Sequence, residues 1–304
     1  MTTNTGADMP DKTAAAYWRD PVLGEKKSID LPGGRINYFD VGTGPVIVFV
    51  HGVLMNANLW RKLVSRLAPD FRCIVLDLPL GAHRLPLAAT ADAGPLEVAA
   101  MVADTVETLD LQDVTLVGSD SGGAISQVVV TSRPERIGRL VLASCDYRDT
   151  FPPRLFSYFK LLGTVPGSIW LVAQTLRVPL LRQTPIALGW LTKRRIDRDA
   201  EDSYTLPASQ DPEVRRDMRN FIRKSDKSIT NAAADHLGEF RKPALIAWSG
   251  EDRVFPKSDA ESLAANLPDS RLEYVDDSYA FSMEDNPGQL AQMIRDFVEV
   301  PAAA

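Results

Sequence analysis

One aspartate between small residues has the surroundings that most favour chemistry in this sequence. Asp120 lies in Gly118-Ser-Asp-Ser-Gly122, directly after the apolar run Val114–Val117. Glycines two residues before and after it indicate a sharp turn, because such a turn leaves no room for a side chain at either place. The helix that follows would place Asp120 at a helix N-terminus, where free N–H groups stabilise negative charge. We interpret Asp120 as a reactive carboxylate, which we expect to be ionised at pH 7.

The elements that must position this turn alternate between apolar strands and amphipathic helices. This alternation is typical of a mostly parallel sheet with helices on both faces. The turn Leu31-Pro-Gly-Gly34 predicts that the first two strands are antiparallel. The predicted strands are Lys26–Leu31, Arg35–Val41, Val46–Val50, Cys73–Leu78, Val114–Gly118, Leu140–Cys145, Ala244–Trp248 and Arg271–Val275. The predicted core helices lie near Leu59–Leu67, Pro95–Leu109, Gly122–Arg133, Lys257–Leu267 and Gly288–Val298.

Residues 147–241 interrupt this alternation. They show no strand pattern, only aromatic and apolar residues at helical spacing that prolines interrupt. We predict a helical cap over residues 147–241, inserted into a core of residues 25–146 and 242–300 that follows an N-terminal extension of residues 1–24. The apolar stretch Leu161–Leu181 predicts a buried or pocket-lining helix pair. The cap supplies the apolar side chains for a pocket, and we expect most of them in the core and only a few at the pocket: Phe151, Phe156, Phe159, Trp170, Leu171 and Trp190.

Three motifs in this order resemble the α/β-hydrolase superfamily, and the resemblance covers residues 26 to 298. They are His51-Gly52 after the third strand, the turn around Asp120, and Asp252 in the loop that begins at Trp248. Aspartate in the turn is similar to haloalkane dehalogenases, fluoroacetate dehalogenases and epoxide hydrolases. The resemblance implies that Asp120 attacks a polarised carbon and forms an alkyl-enzyme ester that water then hydrolyses.

The same resemblance implies that the backbone N–H groups of Val53 and Ser121 are the oxyanion or leaving-group donors. Haloalkane dehalogenases hold halide with Asn and Trp at these two positions, so dehalogenation of a haloalkane loses support here. Opening an epoxide leaves an alkoxide that must be protonated. Tyr158 and Tyr204 of the cap are candidate phenolic donors, with plain packing as the alternative for each.

The histidine that activates water in this family is missing. The family pattern is His-x3-Glu-Asp-x-Pro, and aligning it on Glu284 places Ala280 at the histidine position. The acid that would partner this histidine remains as Asp252, for which capping of its own loop is the alternative role. Asp146, after the sixth strand, occupies the other acid position of this branch.

The chain contains only three histidines. We expect His51 to be structural within the oxyanion turn, His83 to lie in a solvent-accessible loop with the cleft as its alternative, and His236 to lie at the surface. Three explanations for Ala280 stay open. The chain is an inactivated form of a hydrolase, a non-hydrolytic enzyme (lyase, isomerase or cyclase) that uses Asp120 as acid and base, or a non-catalytic ligand-binding protein.

Composition sets the outer limits of these hypotheses. Hydrophobic residues at 45%, charged residues at 24% and 2 Cys exclude a disordered chain or a disulfide scaffold. Cys73 and Cys145 lie in strand patterns, which predicts buried free thiols. The formal charge of -6 without a basic stripe predicts that neither nucleic acid nor a membrane is a partner. The first residues lack a signal-peptide pattern, so we expect a cytoplasmic protein, as monomer or homodimer.

The leading hypothesis is a hydrolase of the α/β-hydrolase fold. It acts on a small, largely apolar molecule held between core and cap, through the carboxylate of Asp120. No metal and no organic cofactor is implied.

Overall fold

The structure is a computed structural model that describes residues 11–299, apart from the side chains of residues 11–13 and of Phe159. Its eight strands are β1 (Glu25–Leu31), β2 (Gly34–Val41), β3 (Val46–Val50), β4 (Arg72–Asp77), β5 (Val114–Asp120), β6 (Ile137–Cys145), β7 (Ala244–Ser249) and β8 (Ser270–Val275). They form one sheet in the order β1-β2-β4-β3-β5-β6-β7-β8. The predicted eight-stranded sheet is confirmed, with ends that differ from the prediction by a few residues.

The sheet is mostly parallel, as predicted. β1 pairs antiparallel with β2, and β2 pairs antiparallel with β4, whereas all other pairs are parallel. Every residue of β5 is buried, which explains the largely apolar run before the turn around Asp120, called the reactive turn below. Because β3, β5, β6 and β7 run in the same direction, the loops after them meet at one edge of the sheet.

Helices cover both faces of the sheet. They are α1 (Asp11–Ala16), α2 (Arg61–Leu67), α3 (Pro95–Thr108), α4 (Ser121–Ser132), α5 (Tyr158–Thr164), α6 (Ser168–Thr175), α7 (Pro179–Arg182), α8 (Arg198–Thr205), α9 (Pro207–Gln210), α10 (Pro212–Lys224), α11 (Lys227–His236), α12 (Lys257–Asn266), α13 (Ser282–Asp285) and α14 (Pro287–Glu299). Short 3-10 turns occupy Pro21–Leu23, Ala57–Trp60, Arg148–Thr150, Arg154–Phe156 and Leu237–Glu239. In the core, α2 packs on α14 and α3 packs on α4.

The chain between β6 and β7 forms helices and turns without a strand. Helix α10 packs on α5 and α6, and α11 packs on α4 of the core. The domain limits at residues 147 and 241 stay predictions. None of the helices between residues 11 and 299 combines the length and hydropathy that crossing a bilayer requires.

The prediction for the apolar stretch Leu161–Leu181 is wrong in part. Val172 and Leu176 face the pocket described below, but Leu161, Trp170 and Leu180 are exposed. Helices α5, α6 and α7 are short, so each offers few residues to the interior, such as Ile169, Val172 and Ala173 of α6, and the remaining apolar side chains point outward.

Cys73 in β4 and Cys145 in β6 are buried free thiols, as predicted. Burial raises the pKa of the Cys73 thiol to about 12, so this thiol stays protonated and unreactive at neutral pH.

Candidate active site

The reactive turn joins β5 directly to α4. Asp120 is the last residue of β5 and has φ 56° and ψ -137°, a conformation that non-glycine residues rarely adopt. A methyl group on Gly122 would lie 2.2 Å from the carbonyl oxygen of Val50, and one on Gly118 would lie 2.5 Å from Oγ of Ser126. The turn therefore requires glycine at both positions, which is the physical reason for the spacing in the sequence.

The carboxyl group of Asp120 is buried, and one of its two oxygens accepts a backbone hydrogen bond. Oδ1 accepts a hydrogen bond from the backbone N–H of Ser121 at 2.7 Å. Burial raises the pKa of Asp120 to about 7, an effect that the Ser121 N–H opposes and the nearby Asp252 reinforces. The expectation that Asp120 is fully ionised at neutral pH is therefore corrected: it is partly ionised there, because its solvent shell has been removed.

The two predicted oxyanion donors already have acceptors. The Ser121 N–H donates to Asp120, and the N–H of Val53 donates to Oγ of Ser121 at 2.8 Å. One donor therefore holds the Asp120 carboxylate, and the other must leave the Ser121 hydroxyl before it can bind a developing negative charge.

Asp146 lies beside Asp120 because β5 and β6 are neighbours. Its backbone N–H donates to the carbonyl oxygen of Asp120 at 3.4 Å. Its carboxyl group is buried, and within residues 11–299 neither oxygen has a hydrogen-bond partner. Burial, together with the charges of Asp120 and Asp259, raises the pKa of Asp146 well above its ordinary value. Burial thus favours the protonated form of Asp146.

Asp120 and Asp146 line the same pocket between core and cap, with about 900 Å³ of empty space that is partly open to solvent. Val53 and Ser121 also line it, together with Leu54, Met55 and apolar side chains of the cap. This agrees with the expectation of an apolar pocket.

The expected aromatic lining is confirmed only in part. Phe151 and Phe156 line the pocket. Trp170 and Leu171 are exposed, so the expectation that they lie in the core or at the pocket is wrong, whereas Trp190 is half-buried outside the lining. The side chain of Phe159 lies outside the part of the chain that the structure describes.

Sequence reasoning missed the contribution of α10. Phe221 and Ile222 line the pocket, and the buried side chains of α10 include Val214, Met218, Phe221 and Ile222. These positions follow the i, i+4, i+7, i+8 spacing of one helix face, a signal that could have identified this wall from sequence.

Both candidate tyrosines line the pocket, but their hydroxyl groups differ. The Tyr158 hydroxyl donates to the carbonyl oxygen of Ile186 at 2.8 Å. The Tyr204 hydroxyl is buried without a hydrogen-bond partner in the described range. Burial and the neighbouring Glu284 raise the pKa of Tyr204 well above its ordinary value, so this phenol stays protonated. Tyr204 is therefore the better placed of the two to donate a hydrogen bond to a bound molecule.

Asp252 has the loop-capping role that the sequence left open. Its Oδ1 accepts the backbone N–H groups of Val254 and Phe255, each at 2.8 Å. Its Oδ2 is buried without a partner in the described part of the chain, and burial raises the pKa of Asp252 to about 6. Asp252 does not line the pocket, but its negative charge contributes to the raised pKa of Asp120.

Ala280 is fully buried in the turn after β8 and does not line the pocket. The acidic residues that follow it have structural partners. Glu284 forms a buried ion pair with Arg61, and the carboxylate of Asp285 accepts cap backbone N–H groups, including that of Lys193. This part of the motif thus joins the cap to the core.

None of the three histidines, all within the described residues, lines the pocket. His51 is fully buried, its Nδ1 lies 2.9 Å from the Gly52 carbonyl oxygen, and its Nε2 accepts the Leu78 N–H. Burial lowers the pKa of His51 to about 4, so it is neutral and structural, as expected. His236 is exposed and contacts Glu239, also as expected.

The expectation of solvent access for His83 is wrong. His83 is buried, and its Nε2 lies 3.2 Å from Oδ2 of Asp217 in α10. The same carboxyl oxygen accepts the backbone N–H of Leu87. The cap covers this loop, so the His83–Asp217 contact fixes α10 against the core. Among residues 11–299, no group of three or more His, Cys, Asp or Glu side chains is placed to bind a metal ion.

Gly52 is predicted to control the position of the nucleophile. A methyl group on Gly52 would lie 2.5 Å from Oδ2 of Asp120, the carboxyl oxygen not bonded to Ser121. We expect Gly52→Ala to displace this carboxyl and to lower turnover about 100-fold, with little change in melting temperature. Gly288→Ala is the matched control, because a methyl group there meets nothing within 4 Å. Equal turnover in both variants would contradict the close packing of Gly52 on Asp120.

Comparison with known proteins adds an independent observation. A family model described as alpha/beta hydrolase fold matches residues 45–287. The uncharacterised hydrolase YugF of Bacillus subtilis is 28% identical, over 83% of this chain and 89% of its own length. Haloalkane dehalogenase 2 of Mycobacterium tuberculosis is 26% identical, over 89% of this chain and 93% of its own.

Solved structures share the fold at lower identity. A variant of the haloalkane dehalogenase DatA from Agrobacterium tumefaciens superposes with a TM-score of 0.77 at 18% identity, covering 93% of this chain and 100% of that chain. The epoxide hydrolase CorEH superposes with a TM-score of 0.74 at 17% identity, covering 90% of this chain and 98% of that chain. At these identities the likeness establishes the architecture.

Proposed function

The chain belongs to the alpha/beta hydrolase fold family, and on that basis we propose that it hydrolyses a small, largely apolar epoxide with two carboxyl groups and no histidine. Asp120 is the nucleophile, and Asp146 is the acid and then the base. One observation carries this proposal: both carboxyl groups line a single apolar pocket, and neither oxygen of Asp146 has a partner within the described residues.

The different environments of the two carboxyl groups assign their roles. Asp120 receives the Ser121 N–H, which favours its ionised form, whereas Asp146 receives no donor in the described range. Asp146 therefore keeps its proton more strongly, and the pair carries one proton at neutral pH. Two carboxyl groups with separated pKa values provide a nucleophile and an acid in one site.

In the first step, Oδ2 of Asp120 attacks a ring carbon of the epoxide. The bond from that carbon to the ring oxygen breaks, and the proton of Asp146 moves to that oxygen. The products are an alkyl ester on Asp120, a neutral hydroxyl group on the substrate and an ionised Asp146. The Tyr204 hydroxyl supports this step by donating a hydrogen bond to the ring oxygen.

In the second step, Asp146 accepts a proton from water while the water oxygen attacks the ester carbonyl carbon. The carbonyl oxygen is Oδ1, which the Ser121 N–H already holds at 2.7 Å and which gains negative charge in the tetrahedral intermediate. Collapse of this intermediate transfers the proton of the added hydroxyl to the departing alkoxide. The diol leaves, and the site returns to an ionised Asp120 and a protonated Asp146.

The contacts of the donors favour an epoxide over a haloalkane, the substrate of two of the similar proteins. A departing halide needs free donors, but Val53 and Ser121 donate to Ser121 Oγ and Asp120 Oδ1. A departing alkoxide needs a proton, which Asp146 holds. The missing histidine is then compatible with turnover, because Asp146 performs the base step that a histidine performs elsewhere.

A single-turnover experiment in water enriched in heavy oxygen tests this proposal. With enzyme in excess over a styrene-type epoxide, we expect the first diol to carry no heavy oxygen, because its new oxygen comes from Asp120. The peptide that contains Asp120 should then carry the heavy atom.

Other outcomes of the same experiment overturn the proposal. Heavy oxygen in the first diol means direct attack by water, and a product isomeric with the epoxide means a non-hydrolytic enzyme. Reversible binding without adduct or product, over a panel that also includes haloalkanes and haloacids, means a ligand-binding protein.

A further inference from the structure

The exposed apolar side chains of the described residues are concentrated on one part of the cap. Nine large apolar side chains are exposed within residues 11–299, and eight of them lie between Leu161 and Ile186. They are Leu161, Val165, Trp170, Leu171, Val178, Leu180, Leu181 and Ile186. The ninth, Leu96, lies in α3 of the core. Water contact of so many apolar side chains in one segment is unfavourable, which indicates a surface that binds something. We call residues 158–186 the cap segment.

The cap segment is compact and adjoins the pocket entrance. Helix α5 packs on α6. The hydroxyl of Tyr158, the first residue of the cap segment, donates to the carbonyl oxygen of Ile186, its last residue. Val172 and Leu176 line the pocket on the inner side. Ile186 lines the pocket and is also 59% exposed. The exposed apolar surface is therefore continuous with the mouth of the pocket.

Charge is distributed unevenly around this surface. Between Asp149 and Asp197 the sequence contains seven Lys or Arg residues and no Asp or Glu, although the whole chain has a formal charge of -6. Among them, Arg154, Arg177 and Arg195 are exposed and form no ion pair within the described part of the chain. Arg177 lies within the cap segment, and Arg195 lines a surface hollow together with Pro179 and Leu180, so the exposed apolar side chains adjoin unpaired positive charge.

We propose that the cap segment docks on an anionic phospholipid surface, with the pocket entrance facing the lipid. Exposed Leu and Val side chains insert among the upper acyl chains, Trp170 lies at the headgroup level, and the arginines contact lipid phosphates. This departs from the sequence-based expectation of no membrane partner, which rested on the net charge of the whole chain and not on its distribution.

A second copy of the chain fits this surface less well. A two-fold symmetric contact places the same patch against itself, which would bring Arg177 and its basic neighbours against the same residues of the other copy. Like charges facing each other oppose such a contact, whereas anionic headgroups attract it. That the docked pocket takes a lipophilic substrate from the bilayer rests on the proposed function, but the docking itself does not.

Vesicle co-sedimentation tests the proposal. The Asp120→Asn protein is used without substrate, so that the result does not depend on catalysis. We expect it to sediment with phosphatidylcholine vesicles that contain phosphatidylserine, and about tenfold less with phosphatidylcholine alone or at high salt. Trp170→Asp and Leu180→Asp, introduced separately, should each reduce binding about tenfold. Leu96→Asp is the matched control, because Leu96 is similarly exposed at 52% but belongs to helix α3, outside the cap segment. The Leu96→Asp variant should bind vesicles normally.

Three outcomes overturn the proposal. The first is that the Asp120→Asn protein, with no change in the cap segment, does not bind anionic vesicles. The second is that Leu96→Asp reduces vesicle binding as much as Trp170→Asp and Leu180→Asp do. The third is that the protein does not bind vesicles but forms a dimer in sedimentation velocity, which Leu180→Asp dissociates. Arg177→Gln tests the proposal without a substitution in the apolar surface, in case the aspartate variants do not fold. It should weaken binding to anionic vesicles and leave the melting temperature unchanged.

Discussion

Replacing Asp120 with asparagine should reduce epoxide turnover by a factor of about 10⁴ or more and abolish the covalent adduct. The amide oxygen can still accept the Ser121 N–H that holds Oδ1 at 2.7 Å, so the turn keeps its geometry. What is lost is the second carboxylate oxygen, which carries the nucleophilic electron pair in the proposed first step. Initial rates of diol formation and intact-protein mass after incubation with the epoxide measure the two effects.

Asp30→Asn is the matched control for this variant. Asp30 is an aspartate in β1 whose side chain is 83% exposed, far from the pocket lining. The control should keep full turnover and the same adduct. An adduct that persists in Asp120→Asn, or that maps to another residue, would show that Asp120 is not the nucleophile.

Replacing Asp146 with asparagine should lower turnover by about 10² to 10⁴, the range that general acid–base catalysis supplies. The amide cannot protonate the ring oxygen in the first step or accept a proton from water in the second. Whatever ester forms on Asp120 should therefore persist, and mass spectrometry should detect it as a stable adduct. The melting temperature should not fall, because within the described residues the Asp146 oxygens have no hydrogen bond to lose.

The pH profile distinguishes this catalytic role from a structural one. In the unmodified protein the rate should rise with pH through about 7 as Asp120 ionises, because its pKa is raised to about 7. It should fall again at higher pH as Asp146 loses the proton it must donate, since the pKa of Asp146 is raised well above its ordinary value. Asp146→Asn should lose the falling limb, and its rising limb should stay near the same pH, because Asp146 is uncharged while Asp120 ionises.

Asp252→Asn is the matched control for the second prediction. It changes another buried aspartate of the same sheet edge, but one that does not line the pocket. Its Oδ1 caps the backbone N–H groups of Val254 and Phe255, a role that an amide oxygen can keep. The falling limb of the pH profile should remain. If Asp252→Asn loses this limb while Asp146→Asn keeps it, the acid and base roles belong to Asp252.

The strands and the turn around Asp120 followed from the sequence because they depend on local rules. A strand buried on both faces is an unbroken apolar run, as in β5, and a turn without space demands glycine at fixed positions. The absence of a histidine base also followed from the sequence, since Ala280 is defined by counting from Glu284. Each of these features depends only on residues that are close together in the sequence.

Contacts between distant parts of the chain could not be predicted in this way. His83 was expected in solvent because it lies in a loop, yet Asp217, more than a hundred residues later, contacts it in the buried interior. The exposure of Trp170 and Leu180 was missed for the converse reason: an apolar side chain is buried only where another element covers it, and none covers these two in the described structure.

The sequence by itself determined the fold, and it identified Asp120 as the candidate nucleophile and Ala280 at the position expected for the base, because apolar periodicity, glycine spacing and a missing side chain are properties of the chain read in order. Only the tertiary structure decided how the protein could function without that base. Whether Asp120 is ionised, whether the Val53 N–H is free and whether Asp146 has a partner depend on burial and on neighbours across the sheet. Desolvation depends on the three-dimensional surroundings, and in the proposed mechanism it separates two chemically identical carboxyl groups into a nucleophile and an acid.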